Sequence, residues 1–247
     1  MDLSTGMLAL VIAVSFGSAI IGGLGGFGTG IMLTATLTPI LGIKAVVPVL
    51  AFAGIIINAG RFWFYRNAFD RRAVLLVLPA ALVCLLGGTA LYQFLKPGPL
   101  GIVIGTIVLI ALPLRRWLHS HNLHLRSTGL VVGGGIFGFL NGIASGMGVV
   151  LVSLLLGAGL SGTAVLATDA LITIVVDIAR ALLFGKYELL TFDGLVLGGV
   201  IGLASLPGSW VASRIVSRMG HKMHIAIIES LIAVGGMSIL VYGIRAL

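Results

Sequence analysis

The stretch Ile21-Gly22-Gly23-Leu24-Gly25-Gly26-Phe27-Gly28-Thr29-Gly30 puts six glycines in ten residues, inside an apolar run over residues 7–41. Glycine in a helix interior costs roughly 1 kcal/mol against alanine, because it gives up the most backbone freedom on folding. A cluster of them in mid-run therefore predicts a break in the helix. Broken backbone at membrane depth is tolerated only where protein buries it or where it lines a cavity. A second cluster, Asn141-Gly142-Ile143-Ala144-Ser145-Gly146-Met147-Gly148, interrupts another apolar run, over residues 129–160. Gly28 and Gly30 precede Gly146 and Gly148 by the same 118 residues. An interruption repeated in both halves of a chain points to a transporter's binding site.

The rest of the composition agrees with a membrane setting. Of 247 residues, 59% are apolar and 9% charged, and mean hydropathy is +1.21. A soluble domain carries about 25% charged residues. The net charge of +8 does not imply nucleic acid as a partner, because the basic residues sit in short loops between apolar runs. The lone Cys84 excludes an intrachain disulfide and any multi-cysteine metal site. No cofactor or metal is expected. The N-terminus, Met1-Asp2-Leu3-Ser4, lacks the basic region of a cleavable signal peptide.

Apolar segments fall at 7–23 and 27–41 around the first break, then at 44–66, 72–95 and 99–118. A polar loop over 115–126 closes the first half. The pattern recurs at 129–144 and 147–160 around the second break, then at 161–184, 190–216 and 221–247. The arms of each broken run are about 20–25 Å long as helix, short for about 30 Å of hydrocarbon. The predicted fold is an all-α polytopic membrane protein of two inverted repeats, 1–120 and 121–247. Each repeat is a re-entrant helix hairpin followed by three transmembrane helices.

Charge chooses between hairpins and single crossings. With hairpins, one side holds Arg66, Arg71, Arg72, Arg115, Arg116, Arg126, Arg214, Arg218 and Lys222, which is nine. The other holds Lys44, Lys96, Lys186 and Arg245, which is four. Single crossings would move the Arg214 cluster and give eight against five. The positive-inside rule favours the hairpins, with both termini extracytoplasmic. Trp63, Tyr65, Trp117 and Trp210 then fall near inner ends, and Tyr92, Tyr187 and Tyr242 near outer ends, as an interfacial belt.

In a re-entrant hairpin the second arm starts near the midplane, with first-turn N–H groups lacking intrahelical partners. They carry the positive end of the helix dipole and favour an anion. Gly25, Gly26, Phe27, Gly28, Thr29 and Gly30 form one candidate cradle, with the Thr29 hydroxyl as an extra donor. Asn141, Ser145, Gly146, Met147 and Gly148 form the other. The alternative use of such glycines is close helix packing, which is the reading for Gly133, Gly134, Gly135, Gly198, Gly199, Gly235 and Gly236.

Ionisable residues within spans are functional candidates by default. Arg61 follows Asn58 by three residues, and Arg180 follows Asp177 by three. An offset of 119 relates both pairs. Each arginine lies within two turns of a span end, so snorkelling to the interface is the alternative. Asp177 and Arg180 can pair on one helix face. Asp169 lies deeper on roughly the same face and is the candidate for proton coupling; a hydrogen bond to a neighbouring helix is its alternative. Glu229 is open between the same two readings, and His221 and His224 read as interfacial.

Gly23-Leu24-Gly25-Gly26-Phe27-Gly28-Thr29-Gly30, followed by Pro39-Ile40-Leu41 in a duplicated chain, resembles the sulfite exporter TauE/SafE family of toluenesulfonate-uptake type. The family's usual signature is a Gly-x-Gly-Gly-Gly-like cluster and then Pro-x-Leu near the start of each half; the second half departs from it, since Gly146-Met147-Gly148 lacks the glycine triplet and no proline follows in 147–160. The resemblance implies transport of sulfite, sulfonates or related organic anions, in either direction.

The reading is thus a secondary transporter for small anions in the plasma membrane of a bacterium, not an enzyme. No Gly-x-x-x-x-Gly-Lys-Ser/Thr motif is present to bind a nucleotide. An intramembrane serine enzyme at Ser145 would need a histidine at membrane depth, and every histidine is in a loop or at a span end. A membrane scaffold would need no duplicated break. The expected partners are a small anion and the lipid bilayer, with a homo-oligomer left open.

Overall fold

The computed structural model describes residues 5–23, 29–120, 125–216 and 221–247. Those residues form ten α-helices: α1 Thr5–Gly23, α2 Thr29–Leu41, α3 Ile43–Tyr65, α4 Arg71–Phe94, α5 Pro97–Ser120, α6 Ser127–Ile143, α7 Gly148–Gly157, α8 Gly162–Lys186, α9 Phe192–Val216 and α10 His221–Arg245. Three helical stretches, at Ile43–Ala68, Arg71–Phe94 and Phe192–Ala212, are long and apolar enough by themselves to cross a membrane. The protein is an all-helical integral membrane protein. One expectation fails: the stretch from Arg115 to Ser120 is helix and not loop. The apolar register of α5 carries it past its basic end.

The second broken run is a hairpin. α6 and α7 are 17 and 10 residues long, about 26 and 15 Å. The Leu125 N–H donates to the Gly157 carbonyl at 2.7 Å, so α7 ends beside the start of α6. In the first run, Ser18 and Thr36 hydroxyls stand 3.4 Å apart, which sets α1 and α2 side by side. The threonines of α2 are accommodated in apolar surroundings because their hydroxyls bond back one turn, Thr34 to the Gly30 carbonyl at 2.7 Å and Thr38 to that of Thr34 at 2.6 Å.

Helix pairing follows an exchange of the first five helices with the last five. α1 packs on α9 as α6 packs on α4; α2 packs on α10 as α7 packs on α5. α3 meets α8, and α5 meets α10. α3 and α8 run in opposite directions, since Gly54 faces Asp177 while Arg61 faces Asp169. α5 and α10 do the same, with Gly101 against Gly243 and Gly105 against Leu240. α3 and α9 run the same way, with Gly198 against Val49 and Gly60 against Leu206. The ends carrying Arg66 and Arg214 therefore share one end of the bundle. Lys44 and Lys186 lie at the other.

Glycines set these contacts. A side chain at Gly134 would stand 2.7 Å from the Val77 carbonyl, and one at Gly198 stands 2.8 Å from that of Val49, so both pack as expected. Gly199 meets only the edge of the Phe52 ring at 3.9 Å. Gly138 is the tightest joint of α6 with α4, where a Cβ would overlap the Ala81 carbonyl oxygen. Gly138→Ala is expected to lower stability by about 1–3 kcal/mol or more, because backbone cannot move aside as a side chain can. Gly17→Ala, where nothing lies within 4 Å, is expected to raise it by about 0.5–1 kcal/mol. Melting temperatures in detergent compare the two; equal shifts would contradict this packing.

Candidate functional site

The first turn of α2 meets the turn that precedes α7. α2 begins at Thr29, so Thr29 and Gly30 form its first turn. α7 begins at Gly148, with Met147 as N-cap. Gly146 and Met147 are therefore not the first turn of α7, as the spacing suggested, but lie just outside it. Ala144 is extended and Gly146 has φ +90°, a left-handed conformation that side chains rarely adopt, so the chain turns there before the helix can start. A Cβ on Gly30 would stand 2.8 Å from both Cα and N of Gly146. Gly30 thus serves a backbone-to-backbone contact between the breaks as well as facing the cavity. Gly25, Gly26, Phe27 and Gly28 lie outside the described residues.

A cavity of about 800 Å³ lies against this junction. Of the described candidates, all but Glu229 line it: Thr29, Gly30, Arg61, Asn141, Ser145, Gly146, Met147, Gly148, Asp169, Asp177 and Arg180. α3 and α8, crossing beside the breaks, bring the charges. Sequence reasoning passed over Gly54 and Thr173, which also line it. Gly54 is where α8 fits against α3, because a Cβ there would overlap the Asp177 carboxylate. The offset of 119 that relates the arginines also relates Gly54 to Thr173 and was the available signal.

Arg180 does not snorkel. It is 1% exposed, and its guanidinium closes the cut end of α6. Nη1 donates to the Asn141 carbonyl at 2.6 Å and the Ala144 carbonyl at 3.3 Å. Nη2 donates to the Ser145 hydroxyl at 3.2 Å and pairs with Asp177 at 3.2 Å. Asn141 Nδ2 donates to the same Asp177 oxygen at 3.4 Å. The last carbonyls of a helix lack intrahelical partners and carry the negative dipole end. A fixed guanidinium fork answers both needs, which a lysine ammonium would do less well.

Arg61 sits differently. Its side chain is 21% exposed and pairs with Asp169 of α8 at 2.9 Å. Nη2 also donates to the Asn58 side-chain oxygen one turn back. Asp169 is thus held by an ion pair from the other half of the chain, stronger than the neighbouring hydrogen bond considered from sequence. Glu229, on α10, lies outside the cavity lining.

The lining runs from the breaks to Phe64, Tyr65 and Trp210 in the last turns of α3 and α9. At the opposite end the lining reaches Leu50 of α3 and Arg180 of α8, and two aromatic rings lie beyond it. Phe184 and Tyr92 are both fully buried, with ring centroids 5.0 Å apart. The Tyr92 hydroxyl donates to the carbonyls of Ile43 and Lys44, each at 3.1 Å. Lys44 Nζ donates back to the Tyr92 and Gln93 carbonyls at 2.8 and 3.1 Å, closing the end of α4. Tyr92, expected in the interfacial belt, is instead buried, because its ring has Phe184 of α8 to pack on.

A helical bundle of this apolarity, with two broken helices meeting at an internal charged cavity, is the architecture of a membrane transport protein. The chain belongs to the sulfite exporter TauE/SafE family, whose model matches residues 11–239. That family comprises membrane transporters for sulfite and related anions. No curated protein and no solved structure matches the chain.

Proposed function

We propose that the protein is a secondary transporter of small, sulfur-containing anions such as sulfite or a sulfonate, spanning a bacterial inner membrane several times. Residues 1–120 and 121–247 act as two inverted repeats that rock about the cavity between α3 and α8. The observation that carries this reading is the contact of Gly30 with Gly146 at the wall of a cavity holding two arginines. First-turn N–H groups of α2 and α7 supply donors there, and α7 has no side-chain cap. The antiparallel run of α3 against α8 and of α5 against α10 supports the inverted repeat. One open and one plugged end of the cavity is what alternating access requires of a single conformer, and the basic end of the bundle would be cytoplasmic.

Purified protein screened against sulfite, sulfate, thiosulfate, small sulfonates and carboxylates tests the reading. At a hundredfold excess over Kd, a bound anion stabilises the native state by about 2.7 kcal/mol, and the melting temperature rises accordingly. The same anion should move across proteoliposomes. Stabilisation by none of these anions, together with no flux of any, overturns the proposal.

A further inference from the structure

We infer that the Arg61–Asp169 ion pair is a coupling switch, in which the entering anion takes Arg61 from Asp169 and Asp169 takes up a proton. This rests on the anion-transport reading and adds a proton to each anion moved. The two arginines of the cavity are engaged differently. Arg180 holds two backbone carbonyls, a hydroxyl and Asp177, so giving it to a substrate would uncap α6. Arg61 is the arginine that an anion reaches from the open end, since it is partly exposed and lies one turn from Tyr65.

Asp169 is poised to be displaced. Its side chain is 1% exposed, and neither carboxylate oxygen accepts a hydrogen bond among the described residues, so Arg61 is its counter-ion by charge alone. The other charged groups around it do not replace that partner. On its own helix stand Asp177, a like charge, and Arg180, which is committed to Asp177. α4 is capped by Asp70, whose carboxylate accepts from the Ala73 N–H at 2.7 Å, and starts with Arg71 and Arg72, both exposed. The turn Arg66–Ala68 brings Arg66, which stacks on Trp63 at 4.2 Å. α7 brings no ionisable side chain.

When an oxyanion accepts the Arg61 fork through two of its oxygens, Asp169 is left as a buried carboxylate without a counter-ion. A charge in that position costs far more than the neutral acid, so the carboxylate takes up a proton from the bulk solvent, delivered through the water that enters with the substrate. The balance is one anion and one proton in, with cavity charge unchanged. The position 119 residues before Asp169 is Leu50, so the switch exists in one half only.

Methanesulfonate and sulfite are the probes; the sulfonate stays ionised throughout, so any pH dependence seen with it belongs to the protein. Binding to wild-type protein is measured by calorimetry in buffers of different ionisation heat, and flux is measured in proteoliposomes carrying an internal pH dye. The expected wild-type result is uptake of one proton per anion bound, and an affinity that falls by up to about tenfold per pH unit on the alkaline side. Asp169→Asn should bind the anion without proton uptake, with an affinity flat in pH, and should exchange anion without acidifying the lumen. Anion binding to the wild type with no proton uptake overturns the switch and leaves the transporter reading standing; so does a folded Asp169→Asn that still takes up a proton. If neither these probes nor the other anions of the screen above bind to or cross with the wild type, both readings fall; an anion of that screen that does bind takes their place in the same proton count. The wild-type proton count decides even where Asp169→Asn does not fold.

Discussion

Replacing Arg180 by leucine is expected to cost the protein about 3–5 kcal/mol of stability, the usual effect of removing one partner from a buried ion pair. The loss has two sources. Asp177 stays behind as a buried charge, and the carbonyls of Asn141 and Ala144 lose their donor at the cut end of α6. Removing the charge as well, in Asp177→Leu/Arg180→Leu, should recover only part of the loss, because the carbonyls remain unpaired. Arg180→Lys should fall between wild type and Arg180→Leu, since an ammonium cannot reproduce the fork. Melting temperatures and monodispersity in detergent give the order. If Arg180→Leu is as stable as wild type, Arg180 is not what closes α6.

Phe184→Ala is expected to open the plugged end. Truncating a buried phenylalanine costs about 3–5 kcal/mol, and here the cost falls on the contact with Tyr92 that shuts the cavity. Each 1.4 kcal/mol is tenfold, so the population open at the Lys44 end should rise by on the order of 10²–10³. Tyr92→Phe removes hydrogen bonds to Ile43 and Lys44 and should act in the same direction by about 0.5–1.5 kcal/mol. The reporter is Thr173→Cys in a Cys84→Ser background. Thr173 lines the cavity, and its hydroxyl has no hydrogen-bond partner among the described residues, so the change removes none. A membrane-impermeant thiol reagent applied at the Lys44 end should label Phe184→Ala quickly and the parent slowly. Equal labelling in two folded proteins would mean that Tyr92 and Phe184 do not gate this end.

Much of the architecture was legible because membrane helices announce themselves through long apolar runs and short charged loops. The two glycine clusters marked the breaks for a backbone reason that needs no tertiary knowledge. The repeated spacings of 118 and 119 matched Gly28 and Gly30 to Gly146 and Gly148 and paired Arg61 with Arg180. The three-residue spacing of Asp177 and Arg180 was enough to put them on one helix face. The ends were less legible: Arg115 and Arg116 read as loop and are helix, since composition fixes a helix boundary only within a few residues.

Tertiary structure decided what the sequence left balanced. Whether an arginine two turns from a span end reaches the interface or turns inward depends on what lies beside it. For Arg180 that neighbour is the cut end of α6, thirty-six to thirty-nine residues away in sequence. Asp169 found Arg61 only because α3 and α8 run antiparallel through the centre, a contact that no local spacing encodes. The plug of Tyr92 on Phe184 likewise joins two helices whose rings each read as ordinary apolar or interfacial residues. Local backbone chemistry and helical period thus settled the breaks, the spans and the candidate residues. Partners distant in sequence, within one half for Arg180 and across the halves for Asp169 and Tyr92, settled which charge caps a helix and which is paired across the cavity.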